Sequence, residues 1–132
     1  MWVLKNCSAG ESRPPGANIV RMTGIAHDAD LYRAWARAVV DDAFAGPFPR
    51  THAVGCAYLR GVGRGRVLRV TGVARAHELV GHQVVEARLP QPGTPRSDSY
   101  EGDGYVIVRD PDTEVVAAAM TTIIETIQVQ YG

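Results

Sequence analysis

Apolar residues recur at helical spacing in the first half of this 132-residue chain. They fall at positions i, i+3, i+4, i+7 and i+8, which is the stripe that an amphipathic helix buries. The positions are Leu31, Ala34, Trp35, Ala38 and Val39. The pattern predicts a helix from about Asp28 to Phe44, with Asp28 as its N-cap and Gly46-Pro47 as its end.

Strand patterns follow this helix. An apolar run over 53–59 predicts an interior strand, and alternation over 66–70 predicts a half-exposed strand after a glycine-rich turn. We expect these two strands to form a hairpin. A short helix is predicted over 72–80, and further strands over 83–89 and 104–108.

The last part of the chain predicts a helix and a short closing strand. Asp110-Pro111 places proline at the first helical position, where its missing N–H costs nothing. The helix has an apolar face between Val115 and Ile127, and 128–131 follows as a strand. The order from residue 53 is ββαββαβ, which predicts an α+β fold: a small antiparallel sheet with helices packed on one face.

The amino-terminal segment predicts less regular structure. Trp2 to Leu4 suits a short strand, and 10–16 forms a loop because Pro14 and Pro15 fix φ and withhold amide donors. A short helical turn is expected over 17–22, ahead of Gly24.

Charge and composition narrow the class of protein. Fourteen basic and fourteen acidic residues give a net charge of zero, which argues against a nucleic-acid partner recognised by bulk charge. The longest apolar run is too short to span a membrane, and no signal peptide is visible. Two cysteines, Cys7 and Cys56, suit reduced thiols. We therefore expect a cytoplasmic protein.

Other reactive side chains favour structural roles. The four histidines lack metal-ligand spacing, no serine is paired with a histidine, and Cys56 lies in an apolar strand. Gly61, Gly63 and Gly65 suit a turn better than a phosphate cradle, because no helix begins after them. Asp98, Glu101 and Asp103 suit a solvated, mobile loop better than a cation site.

Several stretches together resemble one enzyme family. Near the front stand RPPGANI, then TG, then the helical stretch DLYRAWARA. Later come AVGCAYLRGVGRGRVLRVTGV, VVEARLPQPGTP and DGYVIVRDPDTEVVAAAM. Their order is similar to the end of ATP-grasp carboxylate–amine ligases, in particular L-amino-acid (dipeptide) ligases and carnosine-synthase-like enzymes. The resemblance implies one domain over 1–132: the end of an ATP-grasp-like core (1–48) and a C-terminal α+β subdomain (49–132).

The resemblance also implies site residues. Arg13 matches the family arginine that can make two parallel hydrogen bonds to a substrate carboxylate or acyl phosphate. Gly16 and Asn18 would join Arg13 in substrate binding. Glu11 is the one acidic match to the magnesium-binding motif, and Asn6 is a substitute ligand if the strand register shifts. Ala9 stands where the family has its first glutamate.

The function that the resemblance implies is that of an incomplete ligase. The only lysine is Lys5, and no glycine-rich flap for a triphosphate is present. We expect no catalysis by the chain alone, with ATP and Mg²⁺ used only if a partner ATP-binding chain completes the site. Two alternatives are an independent domain that binds a carboxylate or phosphate through the Arg13 loop and a structural dimerisation module. Since the family's neighbouring elements are lacking, we expect the apolar face of the 28–44 helix to be covered by self-association, most simply in a homodimer.

Overall fold

Four α-helices and five strands lie in the residues that the computed structural model describes, which are 18–43, 46–99 and 101–132. In chain order they are α1 (Ile19–His27), α2 (Leu31–Asp41), β1 (Ala53–Leu59), β2 (Val67–Thr71), α3 (Val73–Val80), β3 (Val84–Arg88), β4 (Gly104–Asp110), α4 (Thr113–Thr126) and β5 (Gln128–Tyr131). The predicted ββαββαβ order and the α+β class are confirmed. The chain divides into two compact units, Met1–His52 and Ala53–Gly132. The single domain with an internal boundary after residue 48 stays a prediction.

The first unit contains α1 and α2, and its boundaries correct two expectations. The helical turn expected before Gly24 is a helix that continues through it to His27. Gly24 suits this position because a Cβ there would lie 2.7 Å from the carbonyl oxygen of Ala29.

Asp28 does not cap α2, so that prediction is wrong. It ends α1 in the left-handed conformation, with φ 50° and ψ 47°. Asp30 caps α2 instead, accepting a hydrogen bond from the Arg33 N–H at 3.0 Å. An aspartate suits either position, since its short side chain tolerates the left-handed region and also satisfies free helical N–H groups.

The second unit contains a three-stranded antiparallel sheet in the order β1-β4-β3. The prediction that β1 is an interior strand is wrong, because β4 is central and β1 lies at an edge. Burial in β1 alternates strictly, with Ala53, Gly55, Ala57 and Leu59 buried and the residues between them half-buried. We call the face that carries these four residues the core face of the sheet.

The predicted hairpin of β1 and β2 is also wrong. β2 pairs antiparallel with β5 in a separate two-stranded sheet. The reason lies in the connection between β1 and β2, which packs closely against the end of the chain. A Cβ on Gly61 would lie 1.9 Å from the carbonyl oxygen of Val129, and one on Gly65 would lie 2.6 Å from that of Gly132.

The core of the second unit lies between the sheet and helix α4. α4 packs on β1 and β4, and α3 packs on α4, so the helices of this unit cover the core face. Its largest fully buried side chains include Val67, Val108 and Ile123. The predicted packing of helices on one face of the sheet holds for this unit.

Gly72, between β2 and α3, allows a close approach to the end of α4. Its φ is +81°, and a Cβ would lie 1.9 Å from the carbonyl oxygen of Thr126. Gly93 has a similar φ of +86°, but a Cβ there would have nothing within 4 Å.

We expect Gly72→Ala to lower the free energy of unfolding by about 3 kcal/mol, through backbone strain and overlap together. Gly93→Ala should cost about 1 kcal/mol, from strain alone. Urea unfolding measures both values, and equal losses would contradict the close approach.

Candidate functional site

The sequence-predicted site falls mostly outside the described residues. Asn6, Glu11, Arg13 and Gly16 all lie there, so their grouping with Asn18 stays a prediction. Asn18 directly precedes α1, and its carbonyl accepts the Met22 N–H at 2.9 Å. Its half-buried side chain does not cap the helix.

A layer of polar side chains covers the face of the three-stranded sheet opposite the core face. The strand register places Tyr58 opposite Tyr105, and Cys56 opposite Ile107. Glu86 of β3 stands on the other side of Ile107. We call Cys56, Tyr58, Glu86 and Tyr105 the polar layer. All four are half-buried, and the Tyr105 hydroxyl donates to Glu86 Oε1 at 2.7 Å.

The electrostatics of the polar layer keep its thiol protonated. Burial raises the pKa of Cys56 to about 11, a hydrogen bond with Tyr58 opposes the rise, and the carboxylates of Glu101 and Glu86 add to it. A thiol with this pKa is not a nucleophile near neutral pH, because the thiolate is the reactive form. This agrees with a structural role for Cys56, although the residue lies in the polar layer rather than among the core residues.

The polar layer is hydrogen-bonded within itself rather than arranged as a catalytic pair. The Tyr105 hydroxyl donates to Glu86, and Cys56 makes a hydrogen bond with Tyr58. The register adds two cations to the same face, Arg88 beside Tyr105 and Arg109 opposite Val54. Sequence reasoning missed this layer, since only the alternation of Glu86 and Arg88 in β3 signalled a polar face.

A second polar cluster joins the end of β5 to two loops. The Tyr131 hydroxyl donates to Asp103 and accepts the Gly61 N–H at 3.2 Å. The other Asp103 oxygen accepts the Ser97 N–H at 2.6 Å. Burial and the hydrogen bond to Asp103 raise the pKa of Tyr131. Asp103 is therefore committed to internal contacts, unlike the solvated loop residue that the sequence predicted.

The same cluster accounts for an arginine and for the glycine-rich segment. The Arg96 guanidinium lies 5.9 Å from the centre of the Tyr131 ring, within cation–π range. The Arg96 backbone N–H donates to the Gly65 carbonyl at 3.0 Å. Gly61 and Gly65 thus take part in contacts that hold the chain together, rather than in the β1–β2 hairpin turn expected for them.

Neither histidine chemistry nor a metal centre emerges from the described part of the chain. No group of three or more His, Cys, Asp or Glu residues within it could hold a metal ion. His27 Nδ1 contacts the Phe48 carbonyl, and His52 Nδ1 lies 2.9 Å from the Thr51 hydroxyl. Within those same residues, no helix is long and apolar enough to cross a membrane.

Comparison with known proteins supports the fold. No family model and no curated protein matches the sequence. Among solved structures, the L-amino acid ligase from Bacillus licheniformis is similar, with a TM-score of 0.68 at 10% sequence identity. The chain has an ATP-grasp-like fold. The match covers 86% of this chain and 30% of the ligase chain, so the chain spans under a third of the ligase's length.

The pKa of Cys56 gives a prediction about its reactivity. In a Cys7→Ser chain we expect the alkylation rate of Cys56 to reach half its maximum near pH 11, compared with 9.0 for an ordinary thiol. At pH 8 the folded chain should react about 100-fold more slowly than the unfolded chain, because the thiolate fraction scales with the pKa difference. Since the folded pKa is raised, the protonated thiol stabilises the fold below pH 9, and this stabilisation is lost between pH 9 and 11.

Iodoacetamide labelling followed by mass spectrometry measures the rate. Glu86→Gln should lower the midpoint, since that carboxylate raises the pKa. Glu125→Gln, on the exposed surface of α4, serves as the matched control. A midpoint near pH 9 in the folded chain would contradict the arrangement of the polar layer.

Proposed function

We propose that the chain supplies the carboxyl-terminal part of an ATP-grasp carboxylate–amine ligase and acts together with an ATP-binding region located elsewhere. The observation that carries this proposal is the fold similarity, in which most of this chain matches under a third of an L-amino acid ligase. In such a reaction ATP phosphorylates a carboxylate, and an amine then displaces phosphate from the acyl phosphate.

The residues that this chain would contribute lie in the proline-rich loop. Arg13 offers a planar guanidinium that can bind two oxygens of a carboxylate or acyl phosphate at once. Gly16 would let the backbone approach the substrate, and the Asn18 amide is not used to cap α1. Glu11 and Asn6 carry the oxygen ligands that suit Mg²⁺.

The nucleotide-binding groups would come from the other region. With Lys5 as its only lysine, the chain has few compact cations to hold a triphosphate. Phosphoryl transfer depends on positioning and electrostatic stabilisation, so a fraction of the site does not suffice. We therefore propose that the chain is inactive alone and that ATP and Mg²⁺ bind in the completed site.

The sheet face that carries the polar layer favours a second candidate, an independent domain that binds a small carboxylate or phosphate. The exposed guanidinium groups of Arg88 and Arg109 stand on this face, where strand register fixes their spacing. A chain of this kind would bind its ligand without ATP and without a second polypeptide, which separates the two candidates by experiment.

A chimaera tests the ligase proposal. This chain replaces the matching segment of the Bacillus licheniformis ligase, and ATP-dependent acyl phosphate is trapped with hydroxylamine as a hydroxamate. We expect the chimaera to form hydroxamate from amino acids and Arg13→Ala to reduce the rate at least about tenfold, because a charge-assisted contact to the reacting carboxylate is lost. Arg64→Ala, in the exposed segment 62–65, should leave the rate unchanged.

Three results would oppose the ligase proposal or favour the alternative. A chimaera that gains thermal stability with ATP–Mg²⁺ but forms no hydroxamate would contradict the proposal, and so would ATP hydrolysis by the isolated chain. If amino acids alone raise the Tm of the isolated chain, the independent binding domain is favoured instead, and Arg88→Ala rather than Arg13→Ala should abolish that rise.

A further inference from the structure

Two loops of the second unit meet at the end of β5. We call 60–66, which joins β1 to β2, the first loop, and we call 89–99 with 101–103, which lie between β3 and β4, the second loop. No residue described in 60–66, 91–99 or 101–103 is buried. Because these residues contribute little to the core, polar contacts hold the two loops in place.

The hydroxyl of Tyr131 joins both loops to β5. It accepts the Gly61 N–H of the first loop at 3.2 Å, and it donates to the carboxylate of Asp103 in the second loop. The other Asp103 oxygen accepts the Ser97 N–H at 2.6 Å. We call Gly61, Ser97, Asp103 and Tyr131 the clasp. One hydroxyl and one carboxylate thus hold three segments of the chain together.

The two loops are also hydrogen-bonded directly to each other. The Arg60 guanidinium of the first loop donates to the carbonyls of Ser97 and Ser99 in the second. The Arg96 N–H of the second loop donates to the Gly65 carbonyl of the first at 3.0 Å. A displacement of one loop therefore pulls on the other.

Backbone pairing anchors one end of the contact between the loops. Arg66 and Gly132 exchange two hydrogen bonds at 3.0 Å. Val67 accepts the Gly93 N–H at 2.7 Å and donates to the Thr94 carbonyl at 2.9 Å. The parts of the loops near the clasp lie beyond these anchors, so they can move while β2 stays paired with β5.

We propose that the clasp is a conformational device through which the two loops open and close together, while the sheet and α4 stay folded. Segments with few buried apolar contacts open locally at a lower free energy than the core. Since the loops are bonded to each other and share the clasp, contact of another molecule with either loop changes the opening of both. This coupling does not depend on the proposed ligase function.

Hydrogen exchange of the full chain, read by mass spectrometry of its peptides, tests the proposal. Tyr131→Phe removes both hydroxyl hydrogen bonds and keeps the ring. We expect amides of both loops to exchange about tenfold faster, because two half-buried polar groups lose their partner. Amides of β4 and α4 should exchange as before. Tyr105→Phe is the matched control, since it removes a hydroxyl that donates to Glu86 at 2.7 Å, and it should leave both loops unchanged.

A substitution in the first loop tests whether the loops are coupled. A Cβ on Gly61 would lie 1.9 Å from the carbonyl oxygen of Val129, so Gly61→Ala pushes the first loop away from β5. We expect amides of the second loop to exchange faster as well, although the three atoms nearest the added Cβ belong to Val129 and Tyr131. Val62→Ala is the control, since Val62 is 100% exposed, and it should change neither loop.

A double variant tests whether the hydroxyl and the carboxylate act as a pair. Asp103→Ala and Tyr131→Phe remove the same hydrogen bond, so their effects on exchange should not multiply when they are combined.

Three results would overturn the proposal. They are Tyr131→Phe leaving both loops unchanged, one loop exchanging faster without the other, and amides of α4 exchanging faster by the same factor as the loops. The first two would show that the loops open separately from the clasp or from each other, and the third would make the clasp part of global unfolding.

Discussion

The close packing of α4 on the sheet is the constraint on which the second unit depends. A Cβ on Gly55 would lie 2.1 Å from Met120 Sδ and 2.9 Å from Val116 Cγ1, so only glycine leaves room for the helix there. Ala57, also on the core face, is fully buried. Small residues on β1 thus let larger ones on α4 fill the space between helix and sheet. The core face is thereby committed to packing, and the opposite face is left to carry polar side chains.

The burial of β4 shows why this strand is the central one. Val106, Ile107 and Val108 are consecutive buried residues of β4, so this strand is apolar on both faces, as a central strand is. β1 also reads as apolar, but much of its apolar character comes from glycine and alanine on one face. Hydrophobic pattern alone does not distinguish an apolar side chain that fills a core from a small one that makes room for a helix. The size of the residues at alternate positions separates the two cases.

The type and order of the helices and strands could be predicted from the sequence pattern, whereas the strand partners and the site residues could not. The strand over 53–59 and the closing strand over 128–131 are correct to the residue, because apolar runs and the turn residues around them are local signals. The strand that pairs with β2 lies about sixty residues away along the chain, and no local sequence pattern identifies it. The polar layer was missed for the same reason: Cys56 and Glu86 meet only through Ile107 of a third strand. The predicted site around Arg13 rests on a family resemblance, and four of its five residues lie outside the described part of the chain.

Helix α2 shows what an amphipathic pattern leaves open. The predicted stripe is half-buried at Leu31, Ala34, Trp35 and Ala38, but Val39, assigned to the same stripe, is exposed. A period of 3.6 residues identifies the apolar sides of a helix without saying what covers each one. A helix that needs one neighbour carries one apolar side, and α2 carries two. The sequence of α2 therefore predicts a helix and its apolar sides, but not which of those sides is buried among the described residues.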